Sequence, residues 1–254
     1  MAERHQRELK AQGFTVFEEL FSEEWVEAAR RAVQDAHEAC GRPACYRAET
    51  SKVGEGAYVG PAGFALPHLL PRCPRLARDL VPKPLVEILD ALMGPLRIEV
   101  AGAVAVDRTR PLFAWHSHIG GVDDNVFRRA GRWPEITRTR RVMTLTYLQD
   151  LDAETGPLQV FPRGPSDACA PPFDLRRDQW PGSVELTPKA GSTVVVDERT
   201  WHAIPPMQRE GLRIFVGVAY ASQSEELGGW SDPDRARIAE LAEVPPLLAR
   251  LVLA

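Results

Sequence analysis

Two histidines stand two residues apart in Phe113-Ala-Trp-His-Ser-His-Ile119, and a third, His202, follows the apolar run Thr193–Asp197. In an extended segment residues i and i+2 project to the same face. His116 and His118 then point together, and Phe113, Trp115 and Ile119 take the opposite parity. Two imidazoles on one strand face plus a third from a distant strand form a metal-site pattern. Neutral imidazole suits iron, zinc, copper or nickel, and three ligands leave positions open for substrate. An exposed polar strand face would give the same spacing, and imidazoles in a cleft also serve as general acid or base. His5, His37 and His68 have no partner nearby in sequence and read as surface or packing residues.

The elements around these residues are legible as texture. From about residue 97 the chain falls into short β runs at 97–107, 141–148, 156–161, 183–187, 192–197 and 212–221. Gly, Pro and Asp turns bound several of them and no strong helical pattern intervenes, which predicts an antiparallel sandwich or barrel. The first hundred residues read as mostly helical. Ser22 caps a helix whose first turn carries Glu23 and Glu24, with Trp25, Ala28, Ala29, Ala32, Val33, Ala36 and Cys40 at helical spacing. Before it, 13–18 alternates as a short strand. Helical stretches follow at 74–80 and 85–93, the second ending at Gly94-Pro95. Residues 41–72 show no clear period and are expected to form a long ordered loop. A last helix is expected from Asp232-Pro233. The reading is one domain over 1–254: a helical flank to 96, a barrel over 97–222 and a helical tail.

Composition narrows the function classes. At 254 residues, 44% hydrophobic and 26% charged, the chain has ample material for a core. A net charge of −4 gives no global basic field for nucleic acid. No apolar run approaches the roughly 20 residues that span a bilayer. Met1–Lys10 is charged and lacks the apolar core of a signal peptide. Cys40, Cys45, Cys73 and Cys169 show no zinc-finger spacing, so a reduced, cytoplasmic protein is expected.

Several stretches together carry a resemblance. Gln12-Gly-Phe-Thr-Val-Phe-Glu-Glu-Leu-Phe-Ser-Glu-Glu-Trp25, the run 144–162 ending Gly156-Pro-Leu-Gln-Val-Phe-Pro162, and Ala190-Gly-Ser-Thr-Val-Val-Val-Asp-Glu-Arg-Thr-Trp-His202 resemble successive motifs of the phytanoyl-CoA dioxygenase family of Fe(II)/2-oxoglutarate oxygenases. The resemblance implies an α+β, mainly β fold, a double-stranded β-helix (jelly-roll barrel) flanked by N-terminal helices. It implies Fe(II) on His116, His118 and His202, and 2-oxoglutarate on Arg213 with Thr193. The chain departs from the family pattern in His116-Ser117-His118, where the family has HxD. Arg163-Gly164-Pro165 replaces Gly-Ser-His, and Phe215 stands where a hydroxyl often helps to bind the co-substrate. Without the carboxylate, three neutral imidazoles leave a divalent metal at +2, which dianionic 2-oxoglutarate would neutralise. Metal affinity should then fall below about pH 6.5. Alternatives are His118 pointing away, with an exogenous anion as ligand, or a carboxylate from Asp123 or Asp124.

Three functions follow from these residues. The first is an oxygenase acting on a small molecule, by the resemblance a tailoring step in bacterial natural-product biosynthesis. The second is a non-redox enzyme (cyclisation, elimination or hydrolysis) using the histidines as acid or base, and the third a ligand-binding barrel. Arg128, Arg129, Arg132, Arg138, Arg140 and Arg141 crowd the segment 125–141 against one acid, Glu135. They read either as a solvated surface loop or as a lid that attracts an anionic substrate. Trp115 and Trp201, with Trp133 and Trp180, are candidate pocket residues that packing explains equally.

Overall fold

The computed structural model describes residues 2–122, 125–164, 167–229, 238, 240 and 244–254. Along the chain come α1 (Ala2–Gln12), β1 (Phe14–Phe17), α2 (Glu23–Ala39), β2 (Ser51–Gly54), β3 (Ala57–Gly60), β4 (Gly63–Leu66), α3 (Leu69–Arg72) and α4 (Lys83–Met93). Then follow β5 (Leu96–Val106), β6 (Phe113–His116), α5 (Asn125–Ala130), β7 (Arg141–Tyr147) and β8 (Leu158–Val160). β9 (Val184–Leu186), β10 (Thr193–Asp197), β11 (His202–Ile204), β12 (Arg213–Ser222) and α6 (Pro246–Leu253) complete it.

Two antiparallel sheets result. The larger runs β1-β10-β7-β12-β5-β4-β3-β2 and the smaller β6-β11-β8-β9. Together they form the jelly-roll barrel. Alternation along the strands sorts the side chains. Leu145, Tyr147, Val194 and Val196 of the large sheet meet Leu158, Val160 and Ile204 of the small one in a core between the sheets. Val142, Val195, Ile214, Val216 and Val218 face the other way and pack with the helical layer. α2 forms as its sequence dictates: the Ser22 hydroxyl accepts the Trp25 N–H at 3.2 Å, and Trp25, Val26, Ala29, Val33 and Ala36 are buried.

Two expectations need correction. Residues 41–72 are not one long loop, because β2, β3 and β4 extend the large sheet beyond β5. These strands have only four residues each and carry Gly54, Gly60 and Gly63, so no run is long enough to show a period of two. The opening charged segment is helical, as expected of the first hundred residues, and its His5 and Leu9 are buried in α1. The 74–80 stretch forms a 3-10 turn over Pro74–Arg78. The helix expected from Asp232 lies outside the described residues.

Candidate metal centre

His116 closes β6 and His202 opens β11, and the two residues are direct partners across the antiparallel pair. Each ring is fixed by its own chain. His116 Nδ1 lies 2.9 Å from the Ala114 carbonyl, and His202 Nδ1 lies 2.9 Å from the Thr200 carbonyl. A carbonyl only accepts, so Nδ1 carries a proton in both rings and Nε2 is the nitrogen that can serve as ligand. That is the arrangement that prepares a histidine for metal binding.

His118 joins them by another route than the expected strand parity. β6 ends at His116, and Ile119–Gly121 form a 3-10 turn in which Gly120 and Gly121 have φ of 68° and 63°. Left-handed backbone of this kind suits glycine. Glu198 pins the turn: its carbonyl accepts the His118 N–H at 2.9 Å and its carboxylate accepts the Gly120 N–H at 2.8 Å. One ligand atom from each of His116, His118 and His202 then lies within 4.8 Å of the others, the only such cluster of metal-ligating side chains among the described residues. Burial holds His202 down at about 4, and burial with the neighbouring His202 and His116 holds His118 well below the usual imidazole range. This keeps His118 and His202 neutral. Three convergent imidazoles are a donor set that fits a divalent transition metal. Asp123 and Asp124 lie outside the described residues.

Arg213 begins β12 on the inner face of the large sheet, fully buried. Its Nη1 donates to the Gly156 carbonyl at 2.6 Å, while Nε and Nη2 are buried with no hydrogen-bond partner among the described residues. Two orphaned donors on one planar guanidinium match the two oxygens of a carboxylate. Thr193 is not brought to this place. It alternates with the inward Val194, and its hydroxyl pairs with that of Thr146 at 2.8 Å on the face away from the barrel interior. Trp115 and Trp201 are likewise turned away from the histidines. They pack with Trp180 on the outer face of the small sheet, Trp115 stacking on Trp180 at 4.3 Å and Trp201 donating to the Cys169 carbonyl at 3.2 Å. Arg128 and Arg129 are exposed on α5, as are Arg132 and Arg138 beyond it. Half-buried Arg140 pairs with Glu225 at 3.5 Å, and buried Arg141 pairs with Glu99 at 3.2 Å.

The sequence reading missed Arg110, Tyr147 and Glu198. Arg110 and Tyr147 face the same buried region as Arg213, and burial pushes the Glu198 carboxyl up to about 7. A lone arginine in a turn and a tyrosine ending an apolar strand carry no signal in spacing.

The family description phytanoyl-CoA dioxygenase (PhyH) matches residues 9–213. The chain belongs to this family. As a PhyH protein it is an enzyme of a dioxygenase family. Solved structures agree on the fold. SnoK, described as a non-heme alpha ketoglutarate dependent carbocyclase from nogalamycin biosynthesis, superposes with a TM-score of 0.62 at 18% identity, over 97% of this chain and 93% of its own. SnoN, an epimerase of the same description and pathway, gives 0.60 at 17%, over 96% and 90%. HygX from Streptomyces hygroscopicus, with nickel, 2-oxoglutarate and hygromycin B bound, gives 0.60 at 18%, over 88% of both chains. No curated protein sequence matches closely enough to count as a relative. Among the described residues, no helix is long and apolar enough to cross a membrane.

Proposed function

We propose that this PhyH protein is an Fe(II)- and 2-oxoglutarate-dependent oxygenase that acts on a small molecule through a three-histidine metal site. The observation that carries the reading is the convergence of His116, His118 and His202 within 4.8 Å of one another. The orphaned Nε and Nη2 of Arg213 support it as the seat of the co-substrate's distal carboxylate. Bound there, iron with 2-oxoglutarate supplies oxidising power for attack on an unactivated carbon of the substrate. The chain's own part is positional. The Ala114 and Thr200 carbonyls hold two imidazoles in the tautomer that presents Nε2. Glu198 fixes the turn that delivers His118.

The charge balance supports a dianionic co-substrate, because three neutral imidazoles leave the metal at +2. The barrel neighbours from nogalamycin biosynthesis and the hygromycin-bound HygX favour a role in natural-product tailoring. The exposed Arg128 and Arg129 suit attraction of an anionic substrate. The free Cys40, Cys45, Cys73 and Cys169 fit a reducing, cytoplasmic compartment. A second reading draws on the depressed His118 and His202, which are free bases at neutral pH and suit non-redox acid–base chemistry.

The test is purified protein with Fe(II), ascorbate, 2-oxoglutarate and air. Succinate release that disappears in EDTA, under argon and in His116→Ala is the expected result. Absence of succinate, with substrate turnover persisting in EDTA under argon, would establish the second reading instead.

A further inference from the structure

We propose that Arg110 is a second carboxylate-binding arginine beside Arg213, and that the pair makes this end of the barrel select a 2-oxo dicarboxylate over a 2-oxo monoacid. The inference rests on the co-substrate reading above and adds a specificity residue to it. Topology brings the two together. Val106, the last residue of β5, is the direct partner of Arg213, the first of β12. The chain then turns at once, the Arg110 N–H donating to the Asp107 carbonyl at 3.2 Å. Tyr147 ends β7 beside the same edge, opposite Phe215. Three polar side chains therefore gather at one end of the barrel, two from the adjacent strands β7 and β12 and one from the turn after β5.

Arg110 is 3% exposed and Arg213 0%, yet neither forms an ion pair among the described residues. Arg110 Nε, Arg213 Nε and Nη2, and the Tyr147 hydroxyl are all buried without a hydrogen-bond partner among the described residues. The Asp107 carboxylate acts on Arg110, but one of its oxygens accepts the Cys45 N–H at 3.1 Å and the other the Thr109 N–H at 2.9 Å. Burial and then Arg213 weaken the proton affinity of Arg110, and both guanidiniums act electrostatically on Tyr147. Two buried cations that act on each other and form no ion pair among the described residues are costly in a fold, and a bound carboxylate removes that cost.

The position also fits. The Arg110 guanidinium lies 5.4 Å from the Phe113 ring centre, and that ring lies 4.4 Å from the His116 ring centre. Phe113 thus separates the cationic end from the metal-binding end, as a ligand with one chelating and one distal carboxylate requires. The Arg110 Nη1 donation to the Ala62 carbonyl, at 3.3 Å, ties the side chain to the β3–β4 turn.

The decisive experiment compares two acids on Ni(II)-loaded protein by calorimetry. 2-Oxoglutarate carries the distal carboxylate, whereas 2-oxobutyrate shares the 2-oxo acid end and lacks it. In Arg110→Met, 2-oxoglutarate is expected to bind at least about tenfold more weakly, the loss of one charge-assisted hydrogen bond, with 2-oxobutyrate within about twofold of wild type. Arg110→Lys keeps the cation and guards against a folding failure; it is expected to fall between wild type and Arg110→Met for 2-oxoglutarate alone. Unchanged 2-oxoglutarate affinity, or an equal loss for both acids in either variant, overturns the proposal. Wild type that binds neither acid would overturn the co-substrate reading itself. Arg213→Met losing 2-oxoglutarate while Arg110→Met matches wild type would overturn the role of Arg110 alone.

Discussion

His116 and His202 are direct partners on adjacent antiparallel strands, with ring centres 4.1 Å apart. The small sheet therefore supplies two of the three imidazoles at a separation fixed by strand pairing. Only His118 depends on a turn. Position 118 is accordingly where the site can be altered with least damage to the barrel.

His118→Asp returns the carboxylate of the HxD pattern to this position and adds one negative charge beside the metal. Fe(II) should bind at least about tenfold more tightly, and 2-oxoglutarate decarboxylation should rise, while turnover of the native substrate falls. Calorimetric metal titration and parallel assays of succinate and native product check this. Native activity indifferent to the change in metal-free buffer would remove position 118 from the site.

Two buried groups titrate with opposite sign. His202 sits at about 4 when folded against an ordinary 6.5, so the unfolded chain holds more protons between these values and stability rises with pH across that window. Glu198 sits at about 7 against an ordinary 4.5, so the folded chain holds the extra proton and stability falls as pH rises through that window. Each effect is of order 3 kcal/mol, and the buried His118, also held down, adds to the His202 side. Glu198→Gln should therefore steepen the loss of stability as pH falls from about 6.5 to 4. His202→Gln should flatten it. Urea denaturation of the EDTA-treated proteins from pH 4.5 to 8 measures both, and parallel pH profiles would contradict the assignment.

Gly156→Ala should disturb the carboxylate end from a distance. Gly156 has φ of 77°, and an added Cβ would lie 2.6 Å from the Pro205 carbonyl oxygen. Its own carbonyl holds Arg213 Nη1. A stability loss of about 1–3 kcal/mol is expected, with weaker 2-oxoglutarate binding and unchanged metal binding. Denaturant titration and ligand calorimetry separate the two effects.

Asp197→Asn should be costlier. Asp197 and Arg199 are buried, with the carboxylate accepting Arg199 Nε at 2.7 Å and Nη2 at 2.9 Å. Removing one charge of such a pair costs about 3–5 kcal/mol. The turn also carries Thr200, whose carbonyl fixes His202, so metal affinity should drop with stability. A variant with wild-type denaturation and metal titrations would argue against this coupling.

The sequence alone determined the parts that depend on local pattern. Ser22 and its acidic first turn announced α2, the alternating runs announced β5, β7, β10 and β12, and the spacing of His116, His118 and His202 announced the cluster. Family motifs supplied the barrel. Tertiary structure decided what depends on residues distant in sequence. β2–β4 are too short and glycine-rich to declare themselves, and they form by pairing onto β5. Strand parity led to the right convergence of His118 for a wrong local reason, because a turn tied to Glu198 places it. Thr193, Trp115 and Trp201 stand in motif positions, yet sheet faces turn them away from the histidines. Arg110 enters the same buried region as Arg213 only because β5 and β12 pair end to end, a contact between residues about a hundred positions apart that no local pattern encodes.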